Sequence, residues 1–294
     1  MKNNKVAAQN SPLKDNDSWQ LYLQNLSRIS KLLNEINYSD NQRIAREVAE
    51  HIQSTNTDIE EIIERFKANE PWEYIRGWAE FKGVKFKVTR DVLIPRVETE
   101  QLVDAVVTKV ENLVIASDQK LNIIDAGTGS GNIIIGIASA LKAKEYDINY
   151  YATEISESAL QIAKTNAATL LPDLKINFAL DYVLAKTINQ IDFSRKTIIA
   201  SNLPYVPTET IATLDPSVKE YEPHVALDGG IKGHELYKRL LDQLGPRINE
   251  VLMYWEIDAE IDSDVESLLH SYLIVDYEVI KDMYDKLRFI SINF

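Results

Sequence analysis

Gly127, Gly129 and Gly131 recur at every second position of DAGTGSG, behind Asp125 and interleaved with Thr128 and Ser130, where one apolar stretch ends and another begins. Glycine lets a backbone approach a ligand closely, and open sheets of alternating strands and helices bind ligands beyond the carboxyl ends of their strands. A dinucleotide fingerprint needs G-x-G-x-x-G, with its third glycine at a position held here by Asn132. An acid followed by G-x-G-x-G suits S-adenosylmethionine instead, because that molecule has no pyrophosphate and its amino-acid end carries a cationic amine that a carboxylate attracts. Asp125 to Gly131 thus supply candidate cofactor-binding residues, with a plain tight turn as the competing reading. The next apolar stretch ends in ATEIS, which carries Glu154 past the sheet edge, where its two oxygens can accept both ribose hydroxyls. Taken alone, Glu154 is as readily the acid that opens a helix. ALDYV then offers Asp181 to the adenine amine and Tyr182 as a flat surface against the base, or simply two loop residues.

The stretch KTIIASNLPYVP places Asn202, Leu203, Pro204 and Tyr205 after a fourth apolar strand, on the same sheet edge as the glycine turn and Glu154. Asn202 therefore faces the methyl donor and counts among the cofactor-binding as well as the catalytic candidates. A planar amino group has its nitrogen lone pair drawn into the adjoining carbonyl or ring, and methylation requires that pair to point at the methyl. Two fixed acceptors solve this. Asn202 Oδ1 and the backbone carbonyl of Leu203 can each take one N–H, orienting the nitrogen and favouring the charge it gains in the transition state. Pro204 fixes the turn and Tyr205 gives a face against the planar acceptor. Without the glycine turn upstream, the same residues would read as a proline-rich strand exit.

These residues need a scaffold, and the patterning supplies one. From Trp19 to about Ala68 apolar positions recur at three-to-four spacing, which predicts a small helical domain over 18–76 behind a flexible tail over 1–17. FKGVKFKVT alternates as a short hairpin does, and 77–97 reads as hairpin and linker before a helix that starts near Glu98. From Leu121 onward, strand, turn and helix alternate, so 98–294 is expected to form an α/β domain with a mostly parallel sheet covered by helices. YLIVDYEVI and LRFISINF are expected to close that sheet as an antiparallel edge.

Bulk properties narrow the function. The 294 residues include 45 acidic and 32 basic ones, a formal charge of -13 that repels phosphate backbones. There is no cysteine, and His51, His224, His234 and His270 lie far apart, so neither a disulfide framework nor a metal site is expected. The start MKNNKVAAQNSPLKDND has no apolar core of the kind a secretion signal carries, and the expectation is a soluble, cytoplasmic monomer with no membrane association.

Beyond the two short motifs, PWEYIRGWAEFKGVKF, LIPRVETEQLV, IIDAGTGSGNIIIGIA, EPHVALDGGIKGHELYKRLL, WEID and KDMYDKLRFI follow one another in an order that resembles the class I peptide chain release factor glutamine methyltransferases. The similarity runs from about Pro71 to the carboxyl terminus. The resemblance implies a Rossmann-like class I methyltransferase domain, S-adenosylmethionine as cofactor, no metal, and the glutamine of a release factor's GGQ loop as acceptor. It also implies that the helical domain holds the release factor and that no nucleic acid is bound directly. Two positions depart from the family's usual pattern: Val97 replaces the second proline of IPRPETE, and Leu203 replaces the first proline of NPPY. NLPY is the form seen in ribosomal RNA adenine dimethyltransferases, so an adenine methyltransferase stays open as an alternative, as does a noncatalytic cofactor-binding protein. Because the carbonyl at 203 survives either residue type, proline there is expected to be tolerated.

Overall fold

The computed structural model describes residues 16–116, 120–257, 262–282 and 284–293; the tail expected over 1–17 lies outside them except for its last two residues. The described chain separates into two compact units, one ending at Arg76 and the other beginning at Gly77. In the first, α1 (Asn16–Glu35), α2 (Asn41–Thr55), α3 (Ile59–Lys67) and α4 (Trp72–Arg76) turn their apolar stripes onto a core of Ile29, Leu33, Ile44, Val48, Ile62, Phe66 and Trp72. Asp58 caps α3 by accepting the Glu60 amide at 3.0 Å. The Trp72 indole donates to Glu47 at 3.0 Å, which satisfies the one polar atom of a fully buried ring.

The second unit opens with an antiparallel hairpin, β1 (Trp78–Phe81) and β2 (Val84–Lys87), followed by α5 (Thr99–Ala116). Phe81 and Phe86 pack with Leu102, Val103 and Ile134, so the hairpin belongs to the core of this unit. Then come β3 (Leu121–Ala126), α6 (Asn132–Leu141), β4 (Ile148–Glu154), α7 (Glu157–Leu170), β5 (Ile176–Leu180) and β6 (Lys196–Ser201). The chain ends with α8 (Pro216–Lys219), α9 (Glu235–Leu244), β7 (Val251–Glu256), α10 (Asp262–Ser271), β8 (Tyr277–Lys281) and β9 (Leu287–Ile292). Strand order is β5-β4-β3-β6-β7-β9-β8; the first five run parallel, and β9 pairs antiparallel with both β7 and β8. The expected class, a mostly parallel sheet with an antiparallel carboxyl-terminal edge and helices before it, is the one observed.

Every residue of β3 and β7 is buried, as central strands covered on both faces require. One boundary differs from expectation. Of YLIVDYEVI only Tyr277 onward is strand, because Leu273 takes a left-handed φ of 60° and the chain folds back, with Ile274 N bonding Leu269 O at 3.0 Å to close α10. Among the described residues no helix is long and apolar enough to cross a membrane.

The strand order reverses at β3. Connections from β3 run toward β5, whereas β6 lies on its other side and leads to β7, which leaves a crevice beyond the carboxyl ends of β3 and β6. Asp125 pairs with Ala200 in the register, so two residues further on Gly127 and Asn202 emerge side by side.

Candidate active site

A cavity of about 380 Å³ opens at this crevice. Gly127, Thr128, Gly129, Ser130, Glu154, Asp181, Tyr182, Asn202, Leu203 and Pro204 line it, so the structure gathers most of the residues singled out in the sequence. Asp125, Gly131 and Tyr205 are not among its lining residues.

Asp125 is fully buried under the turn it was expected to serve as a ligand. Its Oδ2 accepts from Thr128 Oγ1 at 2.7 Å and Ile134 N at 3.2 Å, which ties the glycine turn to the first turn of α6; Oδ1 is buried with no partner among the described residues. Burial pushes this carboxyl up to about 7, against the lowering effect of those two hydrogen bonds. Its place is that of an organiser of the turn. Gly127 has φ of +77°, and a Cβ there would meet Leu203 Cδ2 at 2.8 Å, so glycine is needed both for the backbone and for the close passage of residue 203.

Glu154 ends β4 and is already engaged by the protein. Oε1 accepts from Ile155 N and Ser156 N, and Oε2 from Gly129 N, each at 2.9 Å. A carboxylate offers about four acceptor sites, so roughly one remains, on Oε2, for a ribose hydroxyl rather than one on each oxygen. Since Glu154→Ala removes that acceptor and frees three amides together, S-adenosylmethionine affinity is expected to fall by roughly 1.5 to 3 kcal/mol with the fold intact. Calorimetry checks this, and unchanged affinity in a folded variant takes Glu154 out of the site.

Asp181 lines the cavity, with most of its acceptor sites already taken by the protein. Burial raises its pKa, yet the net shift is downward, because Thr187 N and Oγ1, Lys186 N and Tyr182 N all donate to it. The carboxylate is thus occupied in shaping the loop after β5. That loop holds Val183 at φ of 61°, a strained conformation for a branched residue. Gln243 of α9 clamps it, accepting from Leu184 N at 2.8 Å and donating to Tyr182 O at 3.0 Å. Tyr182, with Arg239 4.3 Å above its ring, and half-exposed Ile155 leave apolar surface at the cavity wall, as a planar base requires.

On the acceptor side, Asn202 Nδ2 donates to Thr99 Oγ1 at 3.3 Å, and Thr99 Oγ1 donates to Glu256 Oε2 at 2.6 Å. Tyr205 packs partly buried with its hydroxyl 3.5 Å from Glu256 Oε1, a supporting position behind the wall rather than a face toward the cavity. Tyr237, fully buried and stacked on Trp255, accepts from Leu203 N at 3.2 Å and donates to the Glu256 carbonyl. Here the sequence expectation for residue 203 changes. Leu203→Pro removes the N–H that Tyr237 receives, and it takes away a side chain buried against Gly127. The variant is expected to lose about 1 to 3 kcal/mol of stability, read by denaturant unfolding, while keeping turnover within about tenfold. Unchanged stability would show that neither contact matters.

Further positioning residues escaped the sequence reading because their partners are remote. Arg96 pairs with buried Glu222, which also accepts Ile94 N at 3.2 Å, so LIPRVETE and EPHVALDGG are locked together at the cavity mouth. Asn166 of α7 accepts from Lys87 N at 2.8 Å and donates to Ser130 O at 2.8 Å, joining the hairpin to the glycine turn. Gly233 takes φ of +77° and lies so close to Tyr205 that a Cβ would meet its carbonyl oxygen at 2.3 Å, which seats the loop before α9 against NLPY. For Arg96, Glu222 and Gly233 the one signal in the sequence was their place inside LIPRVETEQLV and EPHVALDGGIKGHELYKRLL, and Asn166 had none.

The arrangement fits a methyl donor on one side and a planar amino group on the other: a glycine-lined turn, an acid with acceptor capacity left, apolar walls, and an amide with a neighbouring carbonyl. Comparison with known proteins agrees. The chain is 35% identical over 238 residues to the release factor glutamine methyltransferase of Flavobacterium psychrophilum, covering 80% of this chain and 79% of that protein. It is also 35% identical to the enzyme of that name from Bacteroides thetaiotaomicron (80% of each chain) and to that from Bacillus subtilis (77% and 76%). No protein-family model matches. Among solved structures, the N-terminal domain of human METTL16 superposes with a TM-score of 0.51 at 14% identity, over 100% of this chain and 99% of that one. The METTL16 catalytic domain in complex with MAT2A 3'UTR hairpin 1 gives 0.54 at 18% identity, over 73% and 76%. At such identities these two show the fold alone.

Proposed function

The chain belongs to the release factor glutamine methyltransferase family, and on that premise we propose which of its residues carry the reaction. It transfers a methyl group from S-adenosylmethionine to the side-chain amide nitrogen of the GGQ-motif glutamine in peptide chain release factors. S-adenosylmethionine supplies the methyl as an electrophile on a sulfonium. Gly127 to Ser130 and Glu154 hold it by turn and ribose, with Tyr182 and Ile155 beside the base. Asn202 Oδ1 and the Leu203 carbonyl take the two N–H bonds of the acceptor amide, which turns its lone pair toward the methyl. As the N–CH3 bond forms and the sulfonium–methyl bond breaks, the nitrogen becomes positive and both acceptors bind it more strongly. An amide nitrogen is a poor base, so displacement comes first and the proton leaves afterwards to Asn202 or water.

The observation that carries this reading is the emergence of Asn202 beside Gly127 at the switch point of the sheet. In this reading the helical unit over 18–76 holds the release factor and 98–294 does the chemistry, with 77–97, expected as hairpin and linker, built into the core and cavity mouth of that catalytic unit. The protein works in the cytoplasm as a monomer on a protein acceptor; its charge of -13 disfavours a nucleic acid. The test is to incubate the full chain with labelled S-adenosylmethionine and, in parallel, a release factor, an RNA and a DNA, then map the label by mass spectrometry. Labelled glutamine with unlabelled adenine supports the reading. Methylated adenine with an untouched glutamine overturns it.

A further inference from the structure

We infer that Glu256 is a positioning residue for methyl transfer: acting through the Thr99 hydroxyl, it sets which way round the Asn202 carboxamide sits, so that Oδ1 rather than Nδ2 meets the acceptor nitrogen. The inference rests on the role given to Asn202 above. The two ends of an asparagine amide are nearly the same size, and only the hydrogen-bond network decides between them. With the wrong end forward, an N–H would face the N–H of the acceptor and the site could not hold it.

The network has a direction. Glu256 ends β7 with 1% of its surface exposed, and Thr99, equally buried, opens α5. An ionised carboxylate only accepts, so the single hydroxyl proton of Thr99 points at Glu256 Oε2, 2.6 Å away. What Thr99 Oγ1 has left for Asn202 is lone pairs, and lone pairs call for Nδ2, which lies 3.3 Å away. The same acid also serves the rest of NLPY. Oε1 is reached by the Tyr205 hydroxyl, and the Glu256 carbonyl accepts from Tyr237, which in turn takes the Leu203 N–H. A carboxylate buried this deeply costs stability unless its hydrogen bonds compensate, and those bonds converge on the catalytic loop.

The direction depends on ionisation. The hydroxyls of Thr99, Tyr205 and Tyr237 surround Glu256, Arg288 and Arg96 favour its charge, and Glu98 opposes it. Burial is the largest influence and pushes the carboxyl up to about 7. Below that pH Glu256 brings its own proton, Thr99 is free to turn its hydroxyl proton toward Asn202, and the carboxamide loses its preferred sense. Turnover contributed by this device is therefore present above about pH 7 and lost as the pH falls through it. Asp125, also pushed up to about 7, is unchanged in any Glu256 variant, so comparison with the wild type cancels its share.

The experiment compares Glu256→Gln, Thr99→Val and Thr99→Ser in the full-length protein, with melting curves to verify folding. Glu256→Gln keeps the shape but no longer dictates the direction; at about pH 8 its kcat is expected to fall roughly tenfold to a hundredfold, with KM for the release factor and calorimetric S-adenosylmethionine affinity within about twofold. Its residual activity should lack the decline between about pH 8 and 6 that Glu256 adds to the wild type. Thr99→Val should reproduce the kcat loss, and Thr99→Ser should restore it. A folded Glu256→Gln variant with wild-type kcat and an unaltered pH profile overturns the inference, as does a parallel loss of cofactor affinity. Asn202→Ala run alongside separates the levels: if it is inactive while Glu256→Gln is fully active, only this inference fails, and if it is active, the role of Asn202 fails first.

Discussion

Asn202→Ala is expected to lower methyl transfer by about a hundredfold or more while S-adenosylmethionine affinity stays within about twofold of wild type. The amide oxygen is most needed when the acceptor nitrogen turns positive, so its removal acts on the transition state more than on either bound molecule. The structure makes the truncation clean on the protein side. Asn202 donates to Thr99, and Thr99 keeps its stronger bond to Glu256 when that donor is gone. The glycine turn is held separately, by Asp125, Asn166 and Glu154. Single-turnover kinetics at saturating cofactor, paired with calorimetry, checks the result. Turnover near wild type would be fatal to the role of Asn202, and an equal loss in affinity would make it a cofactor residue instead.

Replacing the GGQ glutamine of the release factor by asparagine is expected to reduce its methylation by on the order of a hundredfold. The change keeps the amide and its two N–H bonds, so the chemistry offered to Asn202 and Leu203 is the same. It removes one methylene, which withdraws the nitrogen by more than about an ångström from the methyl, and a misplacement of that size costs about two orders of magnitude. The walls cannot follow it inward. The segment with Arg96 is bound to Glu222, and Gly233 is already in tight contact with the Tyr205 carbonyl. Mass spectrometry of the modified peptide reads the outcome, and equal methylation of both acceptors would mean that the site is loose enough to reach for its substrate.

The glycine turn, the alternation of strands and helices, and the placing of Glu154 and Asn202 at strand ends were legible in the sequence, because each rests on local patterning: φ values only glycine tolerates, periods of burial, and the rule that ligands gather at carboxyl edges. The resemblance added the acceptor, which short motifs leave open, since a carbonyl and an amide oxygen grip a glutamine or an adenine alike. What side chains do with their hydrogen bonds was decided by the tertiary structure. Asp125, Glu154 and Asp181 read as three carboxylates for one ligand, yet backbone amides and neighbouring hydroxyls claim most of their acceptor sites, and of the three Glu154 and Asp181 line the cavity while Asp125 lies beneath it. Thr99 and Glu256 stand 157 residues apart and meet because α5 begins where β7 ends, at the same edge of the sheet. Backbone preferences act over a few residues and show in the sequence, whereas a carboxylate's partner is whichever donor the folded chain brings within 3 Å, a matter of packing that no local spacing encodes.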